Sequence, residues 1–124
     1  MKIIQIVLIY LFAFLMLAGA FNHIYAPETY KAFIPNFIPE QLANILSTIA
    51  EAIIGIALII PKYRKWAGLG FAILMILFLP IHIWDLTREI PAIGSKVGAM
   101  VRLAVQILFI AAGWWIYKSY QSKN

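Results

Sequence analysis

Glu51, His82, Asp85 and Arg102 lie within or at the ends of otherwise apolar stretches. An ionisable side chain placed in hydrocarbon costs at least about 2.5–3.5 kcal/mol at mid-depth, so it tends to face a partner or a water-filled cavity. These residues are where chemistry should be sought. Asn44, Ser47, Thr48 and Glu51 follow the spacing of three and four that puts them on one helix face, continued by Gly55. His82 and Asp85 are three apart, just beyond Pro80, a residue that removes one helical hydrogen bond. Arg102 and Gln106 are four apart on one face, and His23 closes a group begun by Gly19 and Asn22. Carboxylate and imidazole groups accept or relay protons, whereas a guanidinium or amide can hydrogen-bond a carbonyl or an anionic head. Glu51, His82 and Asp85 are therefore the candidate acid–base groups. His23, Asn44, Ser47, Glu51, His82, Arg102 and Gln106 form the candidate ligand-binding set.

Plainer roles fit the same residues. Glu51 and Asp85 are the candidate counter-ions of Arg102, and a Glu51–Arg102 pair would serve equally to tie the second helix to the fourth. Asp85 could also sit solvated at a helix end. Gln106 is most simply an interhelical hydrogen-bonder. The two histidines match no metal-ligand spacing, so no metal is assigned.

The elements that must position these groups follow from composition. The chain has 124 residues, of which 64% are hydrophobic and only 12% charged. A soluble domain is nearer half apolar and a quarter charged, so lipid is the expected solvent and partner. A disordered chain is excluded, and a nucleic-acid binder is unlikely in spite of the net charge of +5. Without cysteine there is no thiolate nucleophile, disulfide or Cys-ligated metal. Four apolar segments, over about 3–21, 41–60, 66–84 and 97–117, each approach the ~20 residues needed to span a bilayer. The fold class is thus all-α: a four-transmembrane-helix bundle, read as a single domain over 1–124.

Lys2, Lys62, Arg64, Lys65, Lys118 and Lys123 fall on one side of that topology with no acidic companion. The positive-inside rule then puts both termini in the cytoplasm and makes this a multi-pass protein of the cell's inner membrane. Tyr63, Trp66, Trp114, Trp115, Tyr117 and Tyr120 would form an inner aromatic belt, and Tyr25, Tyr30 and Trp84 an outer one. The segment from Asn22 to Glu40 carries Pro27, Pro35 and Pro39 among aromatics. It reads as a short interfacial piece, either a lid on the bundle or an ordinary connector. The start of the chain, with Ala18-Gly19-Ala20 after an apolar run, also resembles a cleavable secretory signal. Removal would leave three spans and place the basic link outside.

Taken in order, several landmarks resemble the DoxX-like family of small four-helix membrane proteins. They are Ala18-Gly19 with Asn22-His23, Phe33-Ile34-Pro35 and Pro39, the run Ala50-Glu51-Ala52 through Gly55 to Pro61, Leu79-Pro80, and Arg102 through Gln106 to Leu108. Members often have a proline where Leu103-Ala104-Val105 stands, and an asparagine where His82 stands. The resemblance implies the same four-helix fold and functional positions at His23, Glu51, Arg102 and Gln106. It also implies a link to membrane sulfur or thiol oxidation with electrons passed to quinone, to redox-stress complexes, or to membrane-protein assembly.

The first functional expectation is a pocket in the outer half of the bundle. It would hold a quinone-like or small amphipathic ligand, the chain being a subunit of a membrane oxidoreductase. Phe12, Phe71 and Phe78 would wall its apolar part or pack the core. No cofactor is expected to be bound covalently. The second is a non-catalytic assembly factor, scaffold or homo-oligomer packing through the faces of Gly19, Gly55, Gly98 and Gly113. The third is a stand-alone acid–base enzyme acting on a lipophilic substrate through Glu51, His82 and Asp85.

Overall fold

The computed structural model describes residues 2–121 and is all-helical in its long elements: α1 (Ile3–Tyr25), α2 (Glu40–Ile59), α3 (Arg64–Thr87) and α4 (Lys96–Gln121). Lys123, counted above among the basic residues, lies outside the described residues. All four helices are long and apolar enough to cross a membrane. The surface has the inverted character that lipid favours. Phe14, Ile53, Leu77 and Leu108 are 62–67% exposed, whereas Glu51, His82, Asp85 and Gln106 are each below 9%.

The helices form two antiparallel hairpins, α1 against α2 and α3 against α4. The hairpins meet chiefly along α2 and α3, with a smaller contact between α1 and α4. α1 and α3 are thus diagonal, as are α2 and α4. The core joins one diagonal through side chains: Phe12 stacks on Phe71 at 4.5 Å between centroids, and Phe109 meets Phe12 edge-on at 5.2 Å. Phe12 and Phe71 are therefore core residues. Close approach of α3 and α4 depends on Gly113, where a Cβ would come within 2.9 Å of both the Ala72 nitrogen and the Gly68 carbonyl oxygen. Gly55 packs on Leu17 and Met16 in the same way. The glycines assigned above to outside partners thus serve contacts within the bundle. Gly98 is the exception, touching only Ser95 and Ile93 beside its own turn.

Several boundaries differ from the hydropathy reading, α4 reaching Gln121 rather than 117 among them. α1 continues past Phe21 to Tyr25, because no proline stops it before Pro27 and its polar last turn finds buried partners. α3 runs on through Pro80 to Thr87, so Asp85 is helical. It also begins early, at Arg64, which is not a solvated loop charge but 8% exposed. Arg64 Nε donates to the Leu58 carbonyl at 2.8 Å, and Nη2 donates to the Ile59 carbonyl at 3.2 Å and to the Tyr10 hydroxyl at 3.0 Å. Those carbonyls close α2, where helical donors run out, so the cation caps a helix C-terminus. Nearby, Gln5 Nε2 donates to the Ser119 hydroxyl, joining α1 to α4.

Between α1 and α2 the chain makes a 3₁₀ helix, Pro27–Phe33. Its three-residue period places Tyr30 and Phe33 on one face, and that face is turned onto the bundle. Tyr30 stacks on His23 at 3.7 Å and accepts a hydrogen bond from Asn22 Nδ2 at 3.1 Å. Arg88 Nη1 holds the segment by donating to the Ala32 carbonyl at 2.6 Å. The segment is a lid, and Tyr30 belongs to it rather than to an aromatic belt.

Candidate functional site

Beneath the lid lies a cavity of about 210 Å³ with walls from all four helices. α1 supplies His23, α2 supplies Ser47 and Glu51, α3 supplies Met75, Phe78, Ile81 and His82, and α4 supplies Arg102, Gln106 and Phe109. Tyr30, Phe33 and Ile34 cover it. α2, α3 and α4 present their shares at a spacing of three or four: 47 and 51, 75, 78 and 82, 102, 106 and 109.

The α1–α2 wall is built around one imidazole. Asn44 Nδ2 donates to the Glu40 carbonyl at 3.0 Å, which turns Asn44 Oδ1 toward His23 Nδ1 at 2.7 Å. An amide oxygen only accepts, so Nδ1 carries a proton. The other ring nitrogen, Nε2, is 3.2 Å from Glu51 Oε2. The two atoms are at ion-pair distance, and Oε2 is buried with no hydrogen-bond partner of regular geometry among the described residues. Gly19 makes room for the arrangement, since a Cβ there would lie 2.7 Å from Glu51 Oε1.

The α3–α4 wall is built around a guanidinium. Arg102 Nε donates to His82 Nδ1 at 3.1 Å, so this ring is neutral with its proton on Nε2. The Phe33 ring lies 4.4 Å from the Arg102 guanidinium carbon. Gln106 Nε2 donates to the Met75 carbonyl at 2.8 Å, in the turn of α3 that precedes Pro80. Pro80 leaves the carbonyl of Ile76, one residue further on, without its helical donor, so the Gln106 bond ties α4 to α3 beside the break rather than replacing the lost bond.

The candidate set thus converges on one cavity at His23, Ser47, Glu51, His82, Arg102 and Gln106. Asn44 acts from behind, orienting His23, and with Thr48 it faces a separate groove of about 550 Å³ that His23 also borders. The Glu51–Arg102 ion pair is not formed, because α2 and α4 are diagonal and Glu51 is held by His23. Asp85 is neither solvated nor on the cavity wall. At 1% exposure, it takes hydrogen bonds from Arg88 Nη1 at 3.2 Å and the Ala92 N–H at 2.7 Å through Oδ1, fixing the turn before α4. Its Oδ2 is buried without a hydrogen-bond partner among the described residues. Of the proposed acid–base trio, Glu51 and His82 thus reach the cavity, held by His23 and Arg102, and Asp85 is set apart on a turn. Among the described residues, no three His, Cys, Asp or Glu side chains gather as a metal site.

Sequence reasoning missed Tyr30, Phe33 and Ile34, Met75 and Phe109. Signals for most of them existed. Tyr30 and Phe33 keep the 3₁₀ period from Pro27, and Met75 and Phe109 extend the polar stripes of α3 and α4 at helical spacing.

The fold and site define a small bundle of four helices, each long and apolar enough to cross a membrane, with a lidded, partly polar cavity. The chain belongs to the family described as domain of unknown function DUF8561, whose profile matches residues 11–117 and so takes in the cavity residues of every helix. That match carries no link to the DoxX-like proteins. Comparison with curated proteins and with solved structures finds no match to either.

Proposed function

We propose that the protein binds the head of a quinone-like or small amphipathic molecule in this cavity, as a subunit of a membrane oxidoreductase. The observation that carries the reading is the cavity itself, in which a buried His–carboxylate pair and a His–guanidinium pair face a common space floored by apolar side chains. Its volume of about 210 Å³ exceeds the ~150 Å³ of an engineered cavity that holds benzene, so a ring-sized head fits. Arg102 and His82 would donate to a carbonyl of the ligand, and the His23–Glu51 pair would exchange a proton with it. Redox equivalents must belong to the ligand or to a partner subunit, since the chain has no cysteine. The DoxX-like resemblance supports the oxidoreductase setting. The exposed Lys62 and Lys118 at the end opposite the lid support a cytoplasmic position for that end, with the lid outside an inner membrane.

The test is purification in a mild detergent followed by mass spectrometry of extractable small molecules. One equivalent of a discrete amphipathic compound per chain is the expected result. Bulk lipid alone would overturn the proposal. The cysteine-free chain also allows orientation to be measured: Glu28→Cys should react with an impermeant thiol reagent added outside intact cells, and Lys62→Cys should not.

A further inference from the structure

The charges around the cavity do not balance. Arg102 uses only Nε, on His82 Nδ1, and its terminal nitrogens Nη1 and Nη2 have no acceptor among the described residues. The carboxylate that shares the cavity, Glu51, is matched by His23 at 3.2 Å. Asp85 is off the wall, with Oδ1 taken by Arg88 and the Ala92 N–H, and its charge acts on Arg102 through space without contact. The cavity therefore holds a permanent cation with no carboxylate at ion-pair distance among the described residues. His82 adds a second donor, because its acceptor nitrogen is occupied by Arg102 and its proton is on Nε2. The open capacity around Arg102 itself, Nη1, Nη2 and His82 Nε2, is all donors and fits a head that accepts, while the acceptor oxygens of Gln106 and Glu51 lie elsewhere on the lining. An ionised carboxylate is such a head, and its two oxygens match the fork of a guanidinium. A ketone or alcohol can accept from the same donors, but of the two members of the proposed ligand class, quinone-like or amphipathic, only an anionic amphipath also neutralises the charge. The rest of the lining, Met75, Phe78, Ile81 and Phe109, suits a hydrocarbon body.

On the reading that this cavity is a binding site, we propose that its ligand is an amphipathic carboxylate whose head pairs with Arg102 Nη1 and Nη2. A volume of about 210 Å³ admits the head and a ring-sized piece of the body, so a longer tail lies outside the cavity.

The test uses the full chain in phosphatidylcholine nanodiscs above neutral pH, with empty discs as the baseline for partitioning. Four probes are titrated: decanoate, decanol, a decyl-substituted benzoquinone and benzoate. Decanoate should bind at least about tenfold more tightly than decanol, and Arg102→Gln should abolish that preference. The wild-type ratio stands as a test even if the variant does not fold. Equal binding of decanoate and decanol overturns the carboxylate assignment, as does an Arg102→Gln protein that keeps the preference. Quinone binding without a preference for decanoate overturns the assignment and leaves the binding-site reading standing. Binding of none of the four overturns both. Benzoate binding as tightly as decanoate supports the carboxylate head and assigns it to a water-soluble acid, whereas decanoate binding alone assigns it to a membrane acid.

Discussion

Two arginines, the buried Arg64 and the half-buried Arg102, one at each end of the bundle, have opposite surroundings. Arg64, at the α2–α3 link, makes three hydrogen bonds to atoms of its own fold and lies over the Tyr10 ring at 5.4 Å. Arg102, under the lid, makes one, and its terminal nitrogens face a cavity. At the link end, the polar groups described here are committed to closing the structure, including Gln5 on Ser119. At the lid end, six polar side chains of four helices share a space that none of them fills. The same residue type thus acts as a helix cap in one place and as an unmatched cation in the other. The difference lies in how many acceptors the fold supplies, not in charge or burial alone.

That contrast can be broken by mutation, and the largest effect should come from the link end. Arg64→Met leaves the last carbonyls of α2 without donors in an apolar setting. It should cost about 3 kcal/mol, read as a lowered unfolding midpoint in detergent. Arg102→Met should cost less than about 1 kcal/mol, since it removes one hydrogen bond and an unmatched cation. Equal losses at the two sites would erase the distinction drawn here.

Gly19→Ala should come next. Its methyl meets Glu51 Oε1 at 2.7 Å, and the overpacking should cost about 2 kcal/mol and separate Glu51 from His23. Ligand recovered on purification should fall in parallel. A smaller loss, about 1 kcal/mol, is expected for Glu51→Gln, which keeps a hydrogen-bonding group beside His23 but not the charge. If ligand recovery survives that change while the melting temperature falls, Glu51 is a tie between α1 and α2 and nothing more. The smallest effect should be that of Phe33→Ala. It removes a ring 4.4 Å from Arg102, worth about 0.5–1 kcal/mol, and should speed ligand exchange more than it lowers stability.

Much of the site was legible because helical spacing is a property of the chain alone. Ser47 with Glu51, and Arg102 with Gln106, were placed on common faces by counting three and four, and those faces do meet the cavity. Partner choice was not legible. Glu51 and Arg102 are the obvious opposite charges, yet Glu51 pairs with His23, because α1 is its neighbour in the bundle and α4 is not. Arg64 was misread for a related reason. In a short basic link it looks like any solvated charge, and only the fold shows that two carbonyls at the end of α2 need its donors. Asp85 was misplaced because hydropathy ends a helix where polarity begins, whereas the backbone of α3 continues through Pro80 to Thr87.

The chain by itself determined its solvent, its four helices and the polar stripe on each, because hydropathy and the helical period are local quantities. Only the tertiary structure decided the order of helices around the bundle, the turn of the Pro27–Phe33 helix onto its end, and hence which donors are satisfied and which remain open. Pairing depends on distances between segments far apart in sequence, and these are set by how glycines such as Gly19 and Gly113 let particular helices approach.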